Sequence, residues 1–154
     1  MWLADWLRKR NQARSAREAR LKILALSIFF QDRLLLERLG KEHHWELRFT
    51  NSPPEAFQWA SQSQFEIILC DRNQPGYPWR EVMDRLAKSS PRSCILLVSP
   101  MNDDYLWSDV LQSGGYAVLR RPLRVDAVVR LVSAARRFIS PLPSPCGVRE
   151  TLPD

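Results

Sequence analysis

Between residues 21 and 138, the 154-residue chain predicts an α/β fold, a three-layer α/β/α sandwich on a five-stranded parallel sheet with an extra helix ahead of it. Three observations carry that expectation. Short apolar runs of strand length alternate five times with segments of helical periodicity, the mark of repeated βα units. Parallel neighbours need crossovers, and right-handed crossovers place helices on both faces of the sheet. A chain of this length, 45% hydrophobic and 26% charged, has room for one domain with an ordinary core, which sets aside disordered and collagen-like readings.

The elements follow in order. Leu21 to Ile28 is a continuous apolar run, read as the first strand; Asp32 to Leu39 then places Leu34, Leu35, Leu36 and Leu39 on a helical stripe ending at Gly40. Trp45 to Thr50 alternates Trp45, Leu47 and Phe49 with polar residues, as an edge strand should. Asn51 or Ser52 can cap a helix entered through Pro53 and Pro54, with Ala56, Phe57 and Ala60 inward. Phe65 to Cys70 is the third strand, stopping at Asp71, and the Asn, Gly and Pro residues up to Pro78 make a loop. A helix resumes at Trp79 through Val82, Met83 and Leu86. Ser93 to Ser99 is apolar enough to be buried on both faces at the sheet centre. Asp103 to Ser113 is helical through Tyr105, Leu106, Val110 and Leu111 and is closed by Gly114 and Gly115. Tyr116 to Leu119 is the fifth strand, and Val125 to Phe138 an amphipathic helix after Pro122.

Three regions result: a basic amphipathic helix over 1–20, a domain over 21–139 and a proline-rich tail over 140–154, expected to be a mobile extension. The first 20 residues hold Arg8, Lys9, Arg10, Arg14, Arg17 and Arg20 against Asp5 and Glu18, so most of the net charge of +6 lies there. Trp2 with Trp6, and Leu3 with Leu7, make an apolar patch beside these charges, suited to packing on the domain, a twin subunit or a membrane surface. A near-neutral remainder argues against a nucleic-acid-binding core, although the arm itself could meet phosphates. No apolar run reaches the ~18 to 20 residues of a membrane span, and the basic residues follow the first apolar pairs, unlike a secretory signal. Cys70, Cys94 and Cys146 lack CxxC spacing, which disfavours disulfides and zinc and suggests a reducing cytoplasm. His43 and His44 are adjacent with no acidic or cysteine partner at ligand spacing, and no phosphate-binding or nucleophile-elbow motif occurs, so an enzyme is disfavoured.

In parallel α/β folds ligands sit beyond the carboxyl ends of the strands. Those ends hold Ser27 and Ile28, Asp71, Ser99, and Arg121 with Pro122. The stretches Ile67-Ile-Leu-Cys-Asp71 with Pro75, Leu96-Leu-Val-Ser99 and Leu119-Arg-Arg-Pro122 resemble the receiver domain of two-component response regulators, over residues 21 to 138. The resemblance implies a flavodoxin-like sheet in order 2-1-3-4-5. It sets Asp71 at the phospho-acceptor position, Ser99 at the switch hydroxyl and Arg121-Pro122 at the Lys-Pro pair. Ser27 and Ile28 fall where the family carries two acids that, with the aspartate, hold Mg²⁺. Val118 takes the aromatic switch position, with Tyr116 two residues away on the same strand face.

A serine and an isoleucine cannot replace two anions around Mg²⁺, so no metal or cofactor is expected and Asp71 should be a poor phospho-acceptor. Arg121 should instead pair with Asp71 and hold the pocket in one state. Trp79, Tyr105, Trp107 and Tyr116 are candidate interface anchors. The reading is a free-standing degenerate receiver that binds a signalling partner, a histidine kinase or effector, or a second copy, through the fourth helix, fifth strand and fifth helix of the repeat. One alternative is a regulator phosphorylated on Asp71; another is a nucleic-acid-binding regulator using its basic arm.

Overall fold

The computed structural model describes residues 2–9 and 20–139. A helix α1 over residues 2–9 precedes β1 (Lys22–Leu26), α2 (Phe30–His43), β2 (Glu46–Thr50), α3 (Pro53–Gln62) and β3 (Ile67–Asp71). These are followed by α4 (Trp79–Ser89), β4 (Cys94–Ser99), α5 (Asp104–Gln112), β5 (Ala117–Arg120) and α6 (Val125–Ile139). All five strands pair in parallel, in the order β2-β1-β3-β4-β5, as expected. Most of the arm expected to be helical, residues 10–19, and the tail at 140–154 with Cys146 lie outside the described residues.

Period-2 alternation divides the sheet into two apolar faces. Leu24, Leu26, Ile68, Cys70, Ile95, Leu97 and Val118 pack with Phe57, Val82, Met83, Leu86, Leu106 and Val110 of α3, α4 and α5. Ile23, Ala25, Ile67, Leu69, Leu96, Val98, Ala117 and Leu119 pack with Leu36 and Leu39 of α2 and Val128, Val132 and Ala135 of α6. Every residue of β3 and β4 is buried, because both faces of these strands are covered by helices. β2 is an edge strand with its charged side exposed. The order reverses between β1 and β3, so a crevice opens at their carboxyl tips, beside Ser27 and Asp71.

Several element ends differ from the sequence reading. β1 stops at Leu26, because Ser27 takes a left-handed backbone, φ 58°, while its N–H still bonds Thr50 O at 2.7 Å. Gly40 does not end α2; the helix runs on to His44, whose φ of 60° closes it. The glycine is needed for close approach, since a Cβ there would stand 2.8 Å from Leu47 Cδ1. Leu34 is exposed, and buried Asp32 replaces it on the inner face of α2. β4 is interior but not central; β3 is the middle strand. Ser52 rather than Asn51 caps α3, its Oγ accepting from Glu55 N–H at 3.2 Å.

Cys70 and Cys94 are buried, and burial pushes their thiols up from an ordinary 9.0 to about 12 and about 11. The neighbouring Asp71 carboxylate raises Cys70 further, while the Gln74 side chain opposes it. Unfolded, the Cys70 thiol loses its proton near 9; folded, it keeps it to about 12, so the unfolded chain binds fewer protons between those values. Stability therefore falls with rising pH across that window. Urea midpoints measured from pH 8 upward should decline less steeply for Cys70→Ala than for the parent chain, and identical slopes would contradict the assignment.

Candidate functional site

Asp71 ends β3, and its side chain is 1% exposed. An ionised carboxylate removed from water must be matched by donors. Oδ1 accepts from the backbone N–H of Asn73 at 2.9 Å, an Asx-type turn that starts the loop. Oδ2 accepts from Nη1 of Arg121, whose side chain is 11% exposed. Both oxygens are therefore engaged, one by local backbone and one by a cation from the far side of β4.

Arg121 is held from several directions. Its N–H bonds Ser99 O at 2.8 Å, continuing the β4–β5 ladder one residue past the strand. Its guanidinium lies 4.0 Å from the centre of the Phe29 ring, close enough for a cation–π contact of about 0.5–2 kcal/mol. Phe29 is the N-cap of α2 and makes no side-chain capping bond, so this position gives up what Ser or Asp would supply and sets an aromatic face beneath Arg121. The Arg121–Pro122 peptide is cis. Beyond it, the N–H of Leu123 donates to Oδ1 of Asp32 at 3.0 Å, tying the β5–α6 connection to α2.

Ser27, which the sequence resemblance sets at the first acid position, donates its hydroxyl to Oε1 of Gln74 at 2.8 Å. Nε2 of Gln74 donates in turn to the backbone O of Asp71 at 2.8 Å, so a buried amide spans the crevice between β1 and β3. Ile28, which the resemblance sets at the second acid position, lies partly buried against the α2–α6 core and lines a recess of about 240 Å³ beside the tips of β1 and β2. Ser99 is buried, and its Oγ accepts from Met101 N–H at 3.1 Å. Mg²⁺ asks for several hard oxygen donors in octahedral array. The groups at this crevice are a carboxylate bonded to a guanidinium, a serine bonded to an amide, and an isoleucine, a set that does not fit that ion. Among the described residues, no group of three His, Cys, Asp or Glu side chains is placed to hold a metal.

The interface candidates separate. Tyr105 is 86% exposed and Trp107 37% exposed on α5. Trp79 is a correction: at 7% exposed it belongs to the core against α3 and α4 and cannot anchor a partner. Tyr116 also departs from expectation. It precedes β5, so strand alternation does not reach it; it packs on the α6 side with its ring 5.5 Å from that of Phe138, while Val118 faces α4 and α5. Gln74 and Phe29 do not stand out in the sequence, where Asp32 reads only as the start of a helix. For Phe29 the signal is the aromatic pair Phe29-Phe30, directly after a strand tip where capping residues are usual.

Breaking a buried pair from one side typically costs about 3–5 kcal/mol, whereas replacing both partners is often close to neutral. Arg121→Met should lose about that much stability in urea unfolding, and Asp71→Asn combined with Arg121→Met should recover a large part of it. A single variant within about 0.5 kcal/mol of the parent would mean that the pair does not carry the pocket.

No protein-family model matches the chain, and no curated protein sequence matches it. Solved structures do. The chain is similar to a two-component response regulator from Clostridium difficile at TM-score 0.70 and 19% identity, covering 79% of this chain and 100% of the other. Chemotaxis protein CheY4 of Vibrio cholerae aligns at TM-score 0.68 and 17% identity, over 76% of this chain and 99% of that one. The receiver domain of Ssk1 from Saccharomyces cerevisiae, solved with the histidine phosphotransfer protein Ypd1, aligns at 0.70 and 14%, over 80% and 94%. With Asp71 at the β3 tip and five parallel strands in the same order, the chain has the fold of response-regulator receiver domains.

Proposed function

We propose that this chain is a degenerate receiver domain that acts in two-component or phosphorelay-type signalling as a phosphorylation-independent protein–protein interaction module. The observation that carries the reading is the state of Asp71: buried, with one oxygen on Asn73 N–H and the other on Arg121. Phosphoryl transfer to a carboxylate needs an accessible oxygen and compensation for the charge that builds up on the moving group. Here the oxygen is covered, and the compensating cation belongs to the protein and is bound to the nucleophile itself. Arg121 stands where the resemblance sets a lysine, and a planar fork on a carboxylate is a tighter clamp than a flexible ammonium.

The surface for a partner is the face of α5, β5 and α6. Tyr105 and Trp107 project from α5, and aromatic side chains of this kind commonly anchor interfaces. The Ssk1 receiver in its solved complex is bound by a phosphotransfer protein, which supports a signalling protein as the class of partner. Because Arg121 is bonded both to Asp71 and to the end of β4, the locked pocket also holds the start of this face in one arrangement.

Treatment with acetyl phosphate and Mg²⁺ followed by intact-mass spectrometry should give no phosphoryl adduct, and partner affinity should be the same before and after the treatment. Stoichiometric modification of Asp71 would favour the alternative, a phosphorylatable regulator, and end the locked-pocket reading. Tyr105→Ala with Trp107→Ala should weaken partner binding by about tenfold or more, as expected when hot-spot aromatics are truncated. Unchanged affinity would move the interface elsewhere.

A further inference from the structure

We infer that the open edge of β2 takes an acidic, extended segment of a partner polypeptide as an added strand. β2 ends the sheet, and no described strand covers its outer side. The N–H of Glu46 bonds Leu21 O and the N–H of Ser27 bonds Thr50 O, each at 2.7 Å, so Glu46, Arg48 and Thr50 turn their backbone groups toward β1. Alternation turns those of Leu47 and Phe49 outward, which leaves their N–H and C=O groups as a row on which a guest can pair. Natural edges are often closed by proline or a bulge. β2 holds no proline, and its register with β1 runs unbroken from Glu46 to Thr50.

Charge selects the occupant. A groove of about 870 Å³ follows the edge between α2 and α3, and its charged residues are Arg20, Arg33, Lys41 and Arg48 against Glu37 and Glu46. Among the described residues, Arg33 alone of these cations has a carboxylate partner, Glu37 at 3.3 Å. The cations flank both sides of the edge. Arg48 lies on the α3 side, its guanidinium 3.9 Å from the centre of the Trp59 ring, and Arg33 on the α2 side, 4.3 Å from that of Phe49. Side chains of an added strand alternate between the same two sides, so two consecutive acidic residues meet Arg48 on one and Arg33 with Lys41 on the other. A guanidinium already set against a ring has less rotamer freedom to lose when a carboxylate binds it.

The other occupants fit less well. A second copy laid on the same edge brings like cations face to face. Residues 10–19 of the chain itself carry Arg10, Arg14 and Arg17 against Glu18, the same net sign as the groove. A nucleic acid meets the arginines but has no strand ladder to offer Leu47 and Phe49. β2 is the far end of the sheet from β5, so a segment bound here leaves the α5 face free, and the two surfaces can be tested apart.

Fluorescence anisotropy of the full chain with short labelled peptides tests the inference. A peptide in which Glu-Glu is flanked by Val and Thr should bind at least about tenfold tighter than its Lys-Lys counterpart. Methylating its backbone nitrogens, which removes the ladder donors and keeps the charge, should weaken it by about tenfold or more. Hydrogen exchange at the amides of Leu47 and Phe49 should slow by about tenfold or more with the peptide bound, while the α5 amides stay as they were. Arg33→Gln with Arg48→Gln should lose about tenfold in affinity with the same far-UV circular dichroism. No binding at about 1 mM peptide, equal binding of the two peptides, or affinity that neither methylation nor the arginine variant changes overturns the proposal. So does tighter binding of a single-stranded DNA oligomer, or a dimer that protects the Leu47 and Phe49 amides without peptide, because those results assign the edge to a nucleic acid or to a second copy.

Discussion

The pocket is organised by the need to neutralise one buried carboxylate. Asp71 sits at the tip of the middle strand with its side chain almost wholly withdrawn from water, so its charge calls for a cation supplied by the protein itself. Arg121 supplies it from beyond β5, and reaching Asp71 takes its side chain across the end of β4. The remaining contacts follow from keeping that guanidinium in place. Phe29 lies against its flat face, Ser99 O holds its backbone, and Asp32 takes the N–H of Leu123 two residues on. Four of the five strand ends are thereby linked through hydrogen bonds or ring contacts to one charge pair.

This arrangement bears on how such a domain could signal. A pocket with two nearly equal states can be biased by a ligand that binds one of them better. An ion pair of two buried side chains, backed by an aromatic ring, deepens one state and leaves little for a small modification to shift. Under the function proposed above, specificity would rest on a fixed surface, with Tyr105 and Trp107 displayed on α5, rather than on a switch.

Much of the fold was legible because its signals are local and repeated. Ile67 to Cys70 and Cys94 to Val98 read as strands since runs of branched and aliphatic residues between turn formers have few other uses in a chain of this composition. Ser52-Pro53-Pro54 announced the start of α3 through capping chemistry that needs no tertiary partner. Readings that depended on a distant neighbour fared worse. Gly40 reads as a helix stop, yet it lies inside α2, where the space a Cβ would need is taken by Leu47 of β2. Trp79 followed a loop and looked available, yet it closes the core beneath α3 and α4. Tyr116 was placed beside Val118 by an alternation that begins only at Ala117.

Residue types and spacing by themselves determined the number of βα units, the two-sided burial of β4, and the presence of Asp71, Ser99 and Arg121 at strand tips with Ser27 and Ile28 where acids might have stood. These follow from periodicity and side-chain chemistry, which act over a few residues. Only the tertiary structure decided that Asp71 spends both oxygens, that Gln74 bridges Ser27 to the Asp71 backbone, that Phe29 lies against Arg121, and which aromatic residues face water. Those features join residues far apart in the chain. They exist because the crossovers bring separate loops to one end of the sheet, an arrangement that no local pattern encodes.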